Sequence, residues 1–294
     1  MPETLGSLAQ PRILGELLAP ALFLTFSCRD DSDPRPGLAR LRDLLDPERS
    51  VVGLGAPLVA ELDTSVPGLR GFEPVVGRGV AWPSTQGGLW VGLYGGDEGT
   101  LLHEARAVVA AVAPHLGIDD HAGCFQHREG RDLSGFIDGT ANPVDEAAVE
   151  AALTEGQPGL AGGSFVHVMR WVHDLDAIAA MSQHQRDRTI GRRISDNEEI
   201  EDAPESAHVK RTAQEDVGFL LRRSMPWGGL DQAGLIFIAY ARDPDTFSRH
   251  ARRMVGLEDG VVDALYSMTR PVSGGLYWCP PMARGRLDLS ALGL

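Results

Sequence analysis

Leu133-Ser-Gly-Phe-Ile-Asp-Gly-Thr-Ala-Asn-Pro143 places one carboxylate, that of Asp138, among small and apolar neighbours. Gly135 precedes it by three positions and Gly139 follows it directly, so the backbone can turn tightly there with little side-chain bulk beside the carboxylate. Asp-Gly and Asn-Pro are also common turn dipeptides, and a plain turn at the end of a strand is the alternative interpretation. The rest of the chain decides between a placed carboxylate and a plain turn.

Hydrophobic periodicity before this stretch indicates four strands and two helices. Apolar, β-prone runs predict the strands, and apolar positions at helical spacing predict the helices. In chain order the predicted segments are strand 21–28, helix 37–45, strands 51–54 and 89–94, helix 98–116 and strand 124–127. The order of the first half is therefore βαββαβ.

The second half repeats this order, with predicted strands at 165–172, 219–222, 235–240 and 274–278 and predicted helices at 175–188 and 243–255. The repetition predicts an α+β fold of two ferredoxin-like halves, each an antiparallel sheet with helices on one face. We expect the join near 143–160. This gives an N-terminal domain, 1–145, that ends in the Asp138 loop, and a C-terminal domain, 146–294.

Composition limits the class of partner. The chain has 294 residues, which exceeds the usual single-domain size and favours two domains that share a large core. With 41 acidic and 27 basic side chains, the formal net charge is −14. This charge argues against nucleic acid or an anionic membrane as the main partner and favours a small-molecule or cationic substrate.

The three cysteines, Cys28, Cys124 and Cys279, lie far apart and show no CxxC spacing. They fit reduced thiols better than disulfides or a zinc site, which indicates a reducing compartment. The start of the chain lacks a basic segment followed by an apolar core, and no apolar run approaches the roughly 18 residues of a membrane span. We therefore expect a cytoplasmic protein without a membrane segment.

Between 188 and 213 the periodicity gives way to a polar, acidic segment. A charge run of this kind is usually a solvated loop. Long irregular segments inside compact domains, however, often carry functional residues, and this one leads to His208. We interpret it as a loop of the functional site.

The GFIDGT run resembles the signature of the dye-decolourising peroxidases, a haem enzyme family. Further segments resemble that family in the same order, namely those near 10–11 and at 82–85, 165–176, 190–192, 206–209, 222–228, 234–244 and 272–278. The lack of a long insertion and of an export leader points to the compact B-type branch. The resemblance implies the same α+β fold of two ferredoxin-like halves, related to the dimeric α/β barrels, with haem b held mainly by the C-terminal half.

The resemblance also selects the iron ligand, because neither composition nor spacing selects one of the nine histidines. Ser206-Ala207-His208-Val209 resembles the family's proximal-histidine motif, so His208 is the expected ligand. Asp263 and Glu199 match positions where the family keeps acids near this histidine. We prefer Asp263 as the partner of the second ring nitrogen, although an acid at a helix N-terminus is an equally good explanation for it.

On the opposite face the resemblance implies that Asp138, beside Gly139, carries the peroxide proton. Arg222 matches the distal arginine, with Ser224 as a hydrogen-bonding residue of the pocket, while Arg223 would point to the other side of a strand. Arg192 matches a position near a haem propionate, although a surface arginine is a close alternative. The chain departs from the family pattern in the short segments 199–208 and 208–222 and in Trp227, where Tyr or Phe is more common, which leaves the role of Glu199 least secure.

These features predict a haem-dependent peroxidase that reduces hydrogen peroxide through a ferryl state and oxidises organic reductants such as dyes or phenols. The alternatives are a haem-handling protein with incidental peroxidase activity, and a haem oxidase dedicated to a biosynthetic step. Asp138, Arg222 and Ser224 together favour the enzyme, because haem binding alone needs none of them. We expect a homo-oligomer. The C-terminal 287–294 lacks a clear basic, glycine-rich peptide for docking into an encapsulating compartment.

Overall fold

A computed structural model describes residues 4–29 and 32–294. Its strands are β1 (Ala21–Cys28), β2 (Ser50–Gly55), β3 (Val75–Val76), β4 (Ala81–Trp82), β5 (Leu89–Tyr94), β6 (Leu116–Cys124), β7 (Ser164–His173), β8 (Leu221–Arg222), β9 (Met225–Gly228), β10 (Ala233–Ala241), β11 (Thr269–Pro271), β12 (Gly275–Cys279), β13 (Met282–Ala283) and β14 (Arg286–Leu287). Its α-helices are α1 (Pro11–Leu14), α2 (Arg35–Leu44), α3 (Ala56–Glu61), α4 (Glu98–Val112), α5 (Asp145–Ala152), α6 (Leu175–Ala180), α7 (Gln183–Ile190), α8 (His208–Arg211), α9 (Gln214–Val217) and α10 (Asp245–Met254). Short 3₁₀ helices span Leu5–Leu8, Ala264–Ser267 and Ser290–Leu292.

Eight strands form one closed antiparallel barrel. Their order around the barrel is β7, β12, β2, β5, β1, β6, β9 and β10, and β10 then pairs back with β7. Strands β8 and β11 continue the pairing along β10 and β7 beyond β9 and β12. Closure satisfies the backbone donors and acceptors that edge strands would leave unpaired.

Each half of the chain contributes an arc of four strands with the same order. Around the barrel, the first arc consists of β2, β5, β1 and β6, which are the second, third, first and fourth arc strands of the N-terminal half in chain order. The second arc, β9, β10, β7 and β12, has the same order in the C-terminal half. The arcs meet where Cys124 pairs with Trp227 and where Tyr277 pairs with Gly55. The predicted α+β class is confirmed. The expectation of a separate sheet in each half is corrected, because the edges of the two arcs pair with each other.

Alternate strand residues enter two different cores, as the two-residue period of a strand requires. Phe23, Trp90, Val166 and Tyr240 belong to one cluster, to which α1 and α5 also contribute. Their immediate neighbours along the strands, such as Leu24, Val91 and Phe165, belong to a second cluster with residues of α2, α4 and α10. The second cluster, between the strands and the helices, borders the functional site.

Several predicted elements differ from the observed ones for local reasons. Helix α4 ends at Val112, close before Pro114, which cannot continue a helix, and the residues after Pro114 form β6 instead of extending the helix to 116. The predicted helix 175–188 is two helices. Ser182 begins the second one with a capping box that it forms with Gln185.

Candidate active site

A cavity of about 420 Å³ lies between the outer face of β7 and β10 and the segments that follow them. Residues of the Asp138 loop, of the 190–215 segment and of α10 form the other walls. The predicted residues that line it are Asp138, Gly139, Arg192, Glu199, His208 and Arg222. One cavity therefore gathers side chains that lie far apart in the sequence.

The Asp138 loop is shaped by its glycines. Gly135 and Gly139 have φ angles of 98° and 77°, a region that residues with a Cβ adopt at a cost. A Cβ on Gly139 would also lie 2.9 Å from Nδ2 of Asn142. The backbone N–H of Gly139 donates to Oδ1 of Asp138 at 2.8 Å, which holds the carboxylate at the cavity wall.

Asn142 joins this loop to the strand that carries Arg222. Its Nδ2 donates to the carbonyl oxygen of Arg222, and its Oδ1 accepts from the N–H of Arg222, both at 2.9 Å. Gln214 makes a second link, because Nε2 donates to the Ala141 carbonyl and Oε1 accepts from the Leu220 N–H at 2.7 Å. The positions of the carboxylate and the guanidinium are thus coupled through two side-chain amides.

Arg222 lines the cavity with a buried Nε that has no hydrogen-bond partner among residues 4–29 and 32–294. A buried N–H without a partner costs free energy unless a ligand or water accepts from it. Arg223 leads elsewhere, since its NH2 donates to the Leu14 carbonyl at 3.1 Å. Ser224 is buried, but it is not among the lining residues, and its hydroxyl accepts from the Ile238 N–H at 3.4 Å. The structure therefore does not place Ser224 as a hydrogen-bonding residue of the pocket.

His208 also lines the cavity, at the first position of the short helix α8. Its Nδ1 lies 2.8 Å from Oδ2 of Asp263, whose side chain is fully buried. Oδ1 of Asp263 accepts from the Leu265 N–H at 2.8 Å. Within the described part of the chain, Nε2 of His208 makes no hydrogen bond, so it remains available to a ligand in the cavity.

Glu199 lines the cavity and is paired with Arg192. Its carboxylate pairs with NH2 of Arg192, and NH1 of Arg192 donates to the Asn197 carbonyl at 3.0 Å. Glu199 and His208 line the same cavity, and the short loop brings Glu199 beside Arg192. Arg192 is only 16% exposed and is partnered, so it is not a free surface arginine.

A second histidine and carboxylate pair in the cavity escaped sequence reasoning. His173 places Nε2 2.8 Å from Oδ1 of Asp132 and Nδ1 2.7 Å from the Thr269 hydroxyl. Burial raises the pKa of Asp132, but the hydrogen bonds and charge of His173 and the bonds from Ser134 outweigh it, so the pKa lies below its usual value. Both ring nitrogens of His173 are engaged, which distinguishes it from His208.

His250 is the third histidine of the lining, on α10. Its Nε2 donates to the Gly218 carbonyl at 2.9 Å. Burial, with smaller contributions from the nearby Arg222 and His208, lowers its pKa to about 4, although the Gly218 bond acts in the opposite direction. His250 is therefore neutral at pH 7 and adds no charge beside Arg222.

The comparisons with known proteins agree with this geometry. The model of the Dyp-type peroxidase C-terminal domain matches residues 129–284, more than half of the chain. The chain belongs to the Dyp-type peroxidase family. A dye-decolorizing peroxidase of Mycolicibacterium paratuberculosis is 28% identical over 295 residues, which cover 92% of this chain and 83% of that protein.

Two solved structures extend the likeness to the fold. A variant of DypB from Rhodococcus jostii RHA1 in complex with heme has a TM-score of 0.80 and 28% identity, covering 91% of this chain and 94% of that one. An encapsulated DyP-type peroxidase from Mycobacterium smegmatis has a TM-score of 0.83 and 27% identity, covering 93% and 96%. The Dyp-type chain described here is a haem peroxidase that uses haem b and acts on hydrogen peroxide with an organic reductant. The haem-handling alternative is not favoured.

The cavity of this Dyp-type peroxidase fits haem on its own chemistry. Phe136, Trp171, Phe237 and Phe247 supply an apolar, largely aromatic lining. His208 presents one open ring nitrogen, and Nε of Arg222 and Nε1 of Trp171 are buried donors without a partner among the described residues. An apolar cofactor with an axial site and polar edges matches this donor set.

No helix in the described ranges is long and apolar enough to cross a membrane.

Proposed function

We propose that His208 ligates the haem iron and that Asp138 and Arg222 act on the bound peroxide. The observation that carries this proposal is that all three line one cavity, with Asp263 hydrogen-bonded behind His208. When bound, haem supplies the redox chemistry by which peroxide is reduced and an organic reductant is oxidised. The residues of the chain provide ligation, proton transfer and charge stabilisation around it.

Asp138 serves as the proton carrier. Its carboxylate would take the proton from one peroxide oxygen and return it to the other, so that the second oxygen leaves as water when the O–O bond breaks, with the two electrons supplied by haem, which would retain the first oxygen. The Gly139 N–H fixes one oxygen of this carboxylate, which lines the cavity. Arg222 provides a fixed positive charge beside the oxygen atoms as the negative charge develops, and its unpartnered Nε is a donor already in place.

Asp263 acts through His208. A carboxylate that accepts from Nδ1 orients the ring and strengthens Nε2 as a donor to iron. Arg192 and Gly139 contribute to the cofactor pocket, Arg192 as a cation at the edge where a propionate would lie. Glu199 holds Arg192 there, and Ser224, two residues after Arg222, accepts a hydrogen bond from the Ile238 N–H.

The two arcs of the barrel are proposed to be two ferredoxin-like units, since each has the order second, third, first, fourth strand. On this basis the boundary lies near residue 145, where α5 begins, with domains 1–145 and 146–294. The haem is held mainly by the C-terminal unit, because His208, Asp263, Arg222 and Arg192 all belong to it. The Asp138 loop is the contribution of the N-terminal unit.

A cytoplasmic homo-oligomer is the proposed state of the enzyme. Support comes from the free thiols Cys28, Cys124 and Cys279, which suit a reducing compartment. The likeness to an encapsulated relative makes encapsulation worth testing. Co-expression with a shell protein and sedimentation of the product tests this.

Rapid mixing with hydrogen peroxide tests the distal roles. We expect Arg222→Leu to slow the first change in the haem absorbance by roughly 10²–10³-fold. The slowing in Asp138→Ala should be no larger than that in Arg222→Leu, because water can partly replace a proton carrier. Arg252→Leu, on the exposed face of α10, is the matched control. Wild-type rates in both cavity variants would overturn these assignments.

A further inference from the structure

Three side chains with metal-binding atoms converge away from the haem cavity, on the N-terminal half. They are Cys28 at the end of β1, Glu61 at the end of α3 and His115 directly before β6. Their ligand atoms, one from each residue, all lie within 4.8 Å of one another. None of the three lines the haem cavity.

We propose that Cys28, Glu61 and His115 bind a divalent zinc ion. A thiolate, an imidazole and a carboxylate are a donor set that zinc accepts and that magnesium, calcium and manganese, which prefer oxygen, do not. Three protein ligands leave the fourth tetrahedral position to water. The bond lengths that zinc needs are roughly 2.3 Å to sulfur and 2.0–2.1 Å to nitrogen.

The backbone holds the three positions together without a metal. Cys28 pairs with Leu116 in the β1–β6 ladder, and the Arg29 N–H donates to the His115 carbonyl at 2.8 Å. A Cβ on Gly88 would lie 3.1 Å from Sγ of Cys28, so the thiol is packed closely from one side. The ligand atoms therefore need only side-chain adjustment to close on an ion.

The side chains of the cluster lie close enough together for a cation to stabilise them. Nε2 of His115 lies 2.6 Å from Oε2 of Glu61, so two potential ligand atoms already face each other. Burial, then the hydrogen bond and charge of Glu61, raise the pKa of the Cys28 thiol to about 12. A divalent ion placed between these groups would favour the thiolate and neutralise the carboxylate.

The surroundings suit an ion that stays in place. His115 is only 3% exposed, whereas Glu61 is exposed enough to admit the ion and its water. The Ser32 hydroxyl lies 3.3 Å from Nδ1 of His115 and can fix the ring so that Nε2 faces the cluster. Because the ligands come from β1, α3 and the start of β6, the ion would tie three elements of the first arc together.

Zinc titration of the metal-stripped, haem-loaded protein tests the site. We expect one zinc per chain, with an affinity that rises about tenfold per pH unit between pH 7 and 8 because one thiol proton is displaced. Cys28→Ser should weaken binding at least tenfold and abolish that pH dependence, and Glu61→Gln and His115→Gln should each weaken it. Cys28→Ser is nearly isosteric, so it reports on ligation even if His115→Gln folds poorly.

His103→Gln, on the exposed face of α4, and Cys124→Ser, in the core, are the matched controls and should bind zinc as the wild type does. Zinc content measured by elemental mass spectrometry, with unchanged haem absorbance in every variant, would support the proposal. Equal zinc affinity in the wild type and in Cys28→Ser would overturn it, as would the absence of stoichiometric binding. The proposed haem chemistry would survive either result, because it uses none of these residues.

Discussion

Asp263 uses its two oxygens for two different partners. Oδ2 faces Nδ1 of His208, and Oδ1 caps the short helix that begins after it by accepting from the Leu265 N–H. The two explanations that the sequence allowed, a histidine partner and a helix N-terminal acid, are both present in one side chain. The capping bond fixes the carboxylate, and the fixed carboxylate in turn orients the imidazole.

Asp263→Asn removes the negative charge of the side chain while it keeps an oxygen that can cap the short helix. The amide keeps an oxygen for one of the two bonds but removes the negative charge behind His208, so we expect haem affinity or the rate with peroxide to fall about 10–100-fold. Asp97→Asn is the control, because Asp97 caps α4 in the same way and faces no histidine. Haem titration and peroxide mixing of both variants measure the effect, and identical behaviour of the two would remove Asp263 from the mechanism.

At the scale of elements, the contact that matters most is the one between the Asp138 loop and β8. Asn142 and Arg222 lie 80 positions apart, yet the amide of Asn142 makes both hydrogen bonds to the Arg222 backbone. The Asn-Pro dipeptide was interpretable from sequence as a turn. Its use as a clamp depends on a strand that only the closed barrel brings beside it.

Asn142→Ala should therefore act on the chemistry without touching the ligand. Loss of both bonds leaves Arg222 and the Asp138 loop free to shift, and a shift of about 1 Å can cost roughly 10²-fold in rate. We expect a slower reaction with peroxide at nearly unchanged haem affinity. Asn197→Ala is the control, since its amide bonds only to the exposed Thr140 hydroxyl in the same region. Equal rates for the two variants would contradict the clamp.

Local pattern and resemblance recovered what is local in the sequence. Six of the eight arc strands, the Asp138 loop and the motifs around His208 and Arg222 are short contiguous signals. The other two strands were misplaced: β6 spans Leu116–Cys124 and not 124–127, and β9 spans Met225–Gly228, after the predicted strand 219–222. Closure of the barrel, the His173 and Asp132 pair and the two amide links depend on long-range contacts that leave no periodicity. The pairing of Glu199 with Arg192 has the same origin, because sequence separation does not determine which side chain a residue meets.

At the scale of the whole molecule, one neutral histidine is buried in the packed core. His167 on β7 is fully buried among Phe72, Trp82 and Phe247, and neither ring nitrogen has a hydrogen-bond partner within the described ranges. Burial lowers its pKa from the ordinary value of 6.5 to about 3. Between pH 6.5 and 3, His167 is protonated in the unfolded chain but neutral in the folded one. Its contribution to the free energy of unfolding is therefore fully present above about pH 6.5 and is lost as the pH falls towards 3.

His167→Phe should flatten this dependence. The ring keeps a similar shape but removes two unpartnered polar atoms and the titration, so we expect a variant at least as stable as the wild type at pH 8 and relatively more stable at pH 5. The difference in slope should approach about 1.4 kcal/mol per pH unit in the acidic part of the window. Urea unfolding from pH 5 to 8 measures it, with His103→Phe as the exposed control. Parallel pH dependences in the wild type and in His167→Phe would refute the prediction.

His208 is the proposed ligand through which this fold holds haem. Titration of haem into the apo-protein, followed by the Soret absorbance, tests it in the wild type, in His208→Ala and in His173→Ala, which removes the other histidine and carboxylate pair of the same cavity. We predict tight, stoichiometric binding by the wild type, substantial binding by His173→Ala, and loss of tight binding with a changed spectrum in His208→Ala. Full haem occupancy with an unchanged spectrum in His208→Ala would contradict the account.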